Sequence, residues 1–246
     1  MADETLQNPK DRQIDETVQW LKDHAIAIKS VDPQRDQQDL ESLRNVIGIS
    51  QVVGLGEATH GNREFFQIKH RIIKFLVTEM GFDTVVFESP EERAKKIDHY
   101  IKTGQGSEDQ LLEGLGYEVW KTQEVLDLIY WLREFNSISG RQINWYGFDV
   151  NDQTGLSSIE RDKRMAENVL KVLKDNPYSK VALWAHNVHV SYAGTSSFRA
   201  LGRNLRDELD DRYISFGMLF NQGSILMQGW EVLLKQDILI NLVLCP

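Results

Sequence analysis

Four short apolar runs decide what this chain can fold into. They are residues 51–55, 83–88, 143–148 and 180–185, and helix-patterned segments separate them. Short runs of this kind read as buried strands. Strands alternating with helices give an α/β protein, here a mostly parallel central sheet flanked by helices. The helical segments are about 11–28 (apolar at Ile14, Val18, Leu21, Ala25 and Ile28), 36–47, 63–80, 89–104, 117–135, 160–173 and 198–209. Asn62 caps the third of these, and Gly48 and Gly81 sit where the second and third must stop. Residues 105–116 read as a polar loop with one helical turn, 213–219 as a fifth strand and 223–228 as a sixth. The first strand–helix–strand step predicts a right-handed crossover and a parallel pair.

In open α/β sheets, ligands bind outside the C-terminal ends of the strands. Each run here ends on an ionisable group at that position. The first breaks into a glycine-rich turn carrying Glu57 and His60, and the second ends at Glu88. The third is followed by Asp149, and the fourth runs into His186 and His189. Parallel strands bring two glutamates, an aspartate and three of the six histidines to one rim.

Several chemistries are excluded by their missing motifs. The chain has no G-x-S-x-G elbow, no Walker A sequence and no H-E-x-x-H. Gly54-Leu55-Gly56 opens like a dinucleotide fingerprint, but its third glycine is missing and Glu57 would repel a pyrophosphate. Two readings of the cluster stay open. In one, a histidine is the general base for a water, a carboxylate orients it, and the other histidines bond the carbonyl oxygen. In the other, His60, His186 and His189 hold a metal such as Zn²⁺ with Glu88 or Glu57.

With 37 acidic residues against 28 basic ones the net charge is −9, which disfavours nucleic acid as a partner. The single cysteine, Cys245, excludes an intrachain disulfide. The first residues are polar, and no apolar run reaches the ~18–20 residues of a membrane span. These features predict a cytoplasmic protein without a membrane partner. Residues 1–10 read as a disordered arm, 11–229 as one α/β domain and 230–246 as an atypical apolar tail.

Five blocks in order carry a resemblance: GEATHG at 56–61, VVFES at 85–89, VWKTQEVLDLIYWLREFN at 119–136, YGFD at 146–149 and LWAHNVH at 183–189. Together they resemble the erythromycin esterase family, which includes succinoglycan biosynthesis-like homologues. The resemblance implies a fold shared with haem-iron-binding relatives. It also implies hydrolysis of a carboxylic ester or lactone by water, with no cofactor, no metal and no covalent intermediate. His60 falls on the family's general base, Glu57 on its partner, Glu88 on the second glutamate, and His186 and His189 on the paired histidines. Lys69 stands where esterase members carry an arginine, and Lys69 and Asp149 are expected to bind substrate. The helical segment that the family carries after the YGFD block is largely missing, since only residues 150–159 fill that gap. The chain is therefore similar to a shortened member acting on a small-molecule ester. A haem, iron or other metal-binding protein on the same scaffold, or an inactive truncated homologue, is the alternative.

Overall fold

The computed structural model describes residues 25–194 and 198–220 throughout, and residues 15, 16, 18–20 and 23 before them. After residue 220 it describes the backbone of 223–227, 230–234 and 240–244. The expected arm at 1–10 lies outside the described residues. Five strands form a parallel sheet in the order β3-β2-β4-β1-β5. They are β1 (Val52–Leu55), β2 (Thr84–Pro90), β3 (Asn144–Asp149), β4 (Val181–Trp184) and β5 (Tyr213–Phe220). Strands β6 (Gly223–Met227) and β7 (Trp230–Leu234) pair as a hairpin. Strand β8 (Ile240–Leu244) adds antiparallel to β5, so part of the expected apolar tail has a partner strand.

Alternate strand residues feed two cores, as the two-residue period requires. Val53, Leu55, Val85, Phe87, Ala182 and Trp184 face one side. There they meet α1 (Glu41–Ile47), α2 (Arg63–Met80), α3 (Glu91–Thr103), α4 (Glu108–Leu115) and α5 (Gln123–Ile138). Val52, Val86, Val181 and Leu183 face the other, against α6 (Ser158–Asp175), α7 (Asn187–Val190) and α8 (Leu201–Leu209). Burial on both faces is why the strands read as unbroken apolar runs.

Three expectations need correction. Strands β1 and β2 are parallel members of one sheet but not neighbours, because β4 lies between them. The loop at 105–116 contains the two-turn helix α4, nucleated by a Ser107–Gln110 capping box that its flanking glycines obscure. The first helix stops before Ala25, and Val18 on its expected inner stripe is 41% exposed.

Two cations, Arg71 and Lys74, tie α2 to the chain before it. Arg71, 1% exposed, contacts the Asp39 carboxylate and the Ser30 and Asp36 carbonyls. One turn on, Lys74 donates to the Pro33 carbonyl at 2.6 Å. His70 on the same helix is also buried. Its Nε2 has no partner among the described residues, and its ring lies 6.1 Å from that of Trp131.

Gly56, directly after β1, has no room for a side chain. A Cβ there would meet Asn187 Oδ1 at 2.2 Å and Val190 Cγ2 at 2.9 Å. Asn187 is fixed in turn, because its side chain bonds both the carbonyl and the amide of Met218 on β5. Gly56→Ala is therefore expected to destabilise by about 1–3 kcal/mol, the usual range for overpacking. A chemical denaturation midpoint equal to that of the wild type would contradict this.

Candidate active site

The turn after β1 sets the first part of the site. Asn62 caps α2 by accepting from the Phe65 amide at 3.0 Å, which folds residues 57–61 back over the sheet end. Glu57 is fully buried and His60 about one-third exposed, with His60 Nδ1 3.1 Å from Glu57 Oε1. The other carboxylate oxygen contacts Lys69 Nζ. Lys69 is wholly buried on α2, bonds the Ala185 carbonyl at 3.0 Å and lies over the Trp184 ring. Burial pushes the Lys69 ammonium well below its ordinary range, with Glu88 opposing.

A carboxylate accepts only, so His60 Nδ1 carries the proton of that bond and Nε2 holds the free lone pair. Among the described residues Nε2 has no hydrogen-bond partner. The ring stands edge-on to Trp120, 4.5 Å between centroids, and to His186 at 5.2 Å. Burial lowers the His60 pKa. Glu88 resists that shift, while His186, His189 and Arg161 reinforce it.

The second part comes from β2, β4 and α6. Glu88 Oε2 accepts from the His186 amide at 3.0 Å, and Oε1 lies 3.4 Å from His189 Nε2. His186 Nδ1 accepts from the Val188 amide at 3.2 Å, which leaves Nε2–H to donate to the Ala58 carbonyl at 3.0 Å. Both of its ring nitrogens are thus committed to the backbone. His189 Nδ1 donates to Asp162 Oδ1 at 2.9 Å. Burial works against a charge on His189, but Asp162 and Glu88 outweigh it and raise its pKa.

Arg161 joins the two carboxylates at the sheet end. Its Nε and Nη2 donate to the two oxygens of Asp149 at 3.0 and 2.8 Å, and Nη2 lies 3.6 Å from Glu88 Oε1. Asp149 also accepts from Tyr117 at 2.6 Å, Gln153 at 3.0 Å and the Val150 amide at 2.8 Å. Burial and the Asp149 carboxylate push the Tyr117 phenol up.

The six residues expected at the rim converge there and Lys69 reaches them from α2, in two roles. His60, His186 and His189 keep exposed surface, and Glu88 bridges the last two. Lys69 and Asp149, expected to bind substrate, have no exposed surface and are enclosed by protein partners. Arg161 and Asp162 were not among the expected residues. A charged residue in the apolar stripe of α6, in step with Met165, Ala166 and Val169, is the signal that marks Asp162. Among the described residues no three His, Cys, Asp or Glu side chains stand together as metal ligands.

The family model for erythromycin esterase matches residues 77–158 and 151–232. Erythromycin esterase type II of Escherichia coli is 33% identical over 132 residues, which cover 54% of this chain and 31% of that protein. Putative hydrolase YbfO of Bacillus subtilis (strain 168) is 31% identical over 142 residues, 57% of this chain and 30% of that one. The matched part spans about a third of the length of these curated relatives. Among solved structures, a succinoglycan biosynthesis protein superposes with a TM-score of 0.71 at 22% identity, covering 93% of this chain and 80% of that one. An erythromycin esterase mutant, EreC in its open conformation, gives 0.63 at 15% identity over 88% and 81% of the two chains. The haem-binding ChaN of Campylobacter jejuni gives 0.55 at 12% identity over 74% and 86%.

Proposed function

The chain belongs to the erythromycin esterase family, and from that premise we propose that it hydrolyses a carboxylic ester or lactone with a water activated by His60. The observation that carries this reading is the state of His60. Its Nδ1–H is held by a buried carboxylate, its Nε2 is open, and its pKa is lowered by burial. A neutral imidazole with a fixed tautomer is what a general base at neutral pH requires.

Nε2 of His60 takes a proton from water as the oxygen adds to the ester carbonyl. The charge that develops on the carbonyl oxygen falls to His189, whose protonated form Asp162 and Glu88 favour, beside Arg161. Collapse expels the alcohol oxygen, which takes its proton from His189 Nε2. The acid product ionises, and proton exchange with solvent resets both rings. Glu57 orients His60, and Lys69 holds Glu57 in turn. Glu88 fixes the turn that carries both histidines and lies beside His189. His186 supports the ring of His60; to donate to the carbonyl oxygen itself it would have to release Ala58. The substrate is a small-molecule ester.

The test is turnover of an ester panel by the wild type and His60→Ala. The expected loss is about 10²–10⁴-fold, the usual contribution of a general base; equal rates would overturn the assignment. The opposite shifts of the two histidines also fix a pH profile. Activity rises as His60 deprotonates, at a pH below its ordinary 6.5. It falls again as His189 deprotonates, at a pH above the same reference. A bell-shaped kcat/KM profile bracketing pH 6.5 is expected, and a profile flat through that range would count against the pair.

A further inference from the structure

His189 is held by more than its position in the turn after β4. Asp162, on α6, is 1% exposed, and both of its oxygens have assigned partners. Oδ1 accepts from His189 Nδ1 at 2.9 Å, and Oδ2 accepts from the amide of Leu201, the first residue of α8, at 2.8 Å. The carboxylate is therefore pinned between two helices and cannot follow the imidazole if it rotates. With Nδ1 occupied, the ring has one nitrogen left. That Nε2 stands 3.4 Å from Glu88 Oε1 and 3.4 Å from Arg161 Nη1, at the same rim as His60. The packing behind this arrangement is close. A Cβ on Gly202 would fall 2.1 Å from the Val190 carbonyl, so α8 sits directly on the turn that carries His189.

We propose that Asp162 is the positioning residue for His189, fixing it as an Nδ1 donor whose Nε2–H is aimed at the leaving oxygen of the ester. The inference rests on the hydrolase reading for its chemistry, but the pairing itself stands on geometry. An imidazole whose Nδ1–H is bound by a fixed carboxylate has one tautomer available when neutral, and keeps Nε2–H when charged. Without Asp162, the ring would have no buried acceptor for Nδ1–H, and Glu88 and Arg161 would compete for Nε2 with opposite demands. The charged and titratable groups facing His189 are Glu88 from β2, Arg161 and Asp162 from α6, His186 from its own turn and His60 from the turn after β1. Of these, Asp162 makes the shortest contact. It is separate from the Glu57–His60 pair, so the site holds two carboxylate–imidazole units whose proton affinities are shifted in opposite directions. That is how one rim supplies a base and an acid at the same pH.

The experiment is Asp162→Asn, which keeps the volume and removes the charge. The expected result is a fall in kcat of about 10²-fold, within the range of a general acid–base contribution, with KM changed less than kcat. The alkaline limb of the profile should move to lower pH, because His189 loses the charge that favours its protonated form. Asp162→Glu should recover part of kcat. The His189 ring resonances, titrated by NMR without substrate, should shift to lower pH in Asp162→Asn while those of His60 stay nearer the wild type. An unchanged His189 titration, or a loss of kcat with an unmoved alkaline limb, would overturn the proposal. The titration needs no substrate. Failure of every ester in the panel would overturn the hydrolase reading and leave the Asp162 pairing to be judged by the titration alone.

Discussion

Arg161→Met is expected to destabilise the protein by about 3–5 kcal/mol, the range for removing one partner of a buried ion pair. Asp149 is fully buried, and the Arg161 guanidinium donates to both of its oxygens. Methionine fills most of the space but leaves the carboxylate with only Tyr117, Gln153 and a backbone amide. The loss should appear as a lower denaturant midpoint with an unchanged slope. Adding Asp149→Asn should recover part of it, because the double variant no longer buries an uncompensated charge. A single variant as stable as the wild type would mean that the Arg161–Asp149 pair does not hold the fold together. Tyr117, Gln153 and Arg161 all converge on Asp149, so the same change is expected to loosen the short connection from β3 to α6.

Glu57→Gln carries a large expected effect on turnover, a loss of about 10²-fold or more. The carboxylate serves two buried groups at once, His60 Nδ1 and Lys69 Nζ. A glutamine can satisfy one of them. If its oxygen faces His60, its amide meets the Lys69 ammonium donor to donor; if it flips, His60 is driven toward the wrong tautomer. In either case Lys69 loses the Glu57 charge beside it, so its pKa should fall further. The expected pattern is a collapse of kcat with KM within a few-fold, together with weaker folding near neutral pH. Wild-type turnover in this variant would show that His60 does not depend on Glu57 for its orientation.

The legible part of the molecule is the part encoded locally. The bounds of α2 follow from Asn62 and Gly81, and both caps form as read. The strand ends were legible because ionisable residues directly follow apolar runs, and the parallel sheet turns those neighbours in sequence into neighbours in space. Strand order was not legible. The insertion of β4 between β1 and β2 depends on α6 returning across the opposite face, and no local signal states that. The state of each site residue was equally hidden. Nothing local tells that both nitrogens of His186 are committed to the backbone, or that Lys69 and Asp149 are wholly buried. Arg161 and Asp162 reach the rim through the first turns of a helix, not through a strand end, so a rule about strand ends passes over them.

His70, far from any of this chemistry in role, has a consequence for the whole molecule. Burial, with Lys74 adding to it, holds its pKa at about 3 instead of the ordinary 6.5. Between those two values the unfolded chain binds a proton that the folded chain refuses. The contribution of His70 to folding stability is therefore lost progressively as the pH drops from about 6.5 toward 3. His70→Leu should flatten that decline, seen as a smaller loss of melting temperature between neutral and mildly acidic buffer. A decline as steep as that of the wild type would place the acid sensitivity elsewhere. An imidazole in the core thus adds an acid-side cost to folding that is separate from the chemistry of the rim.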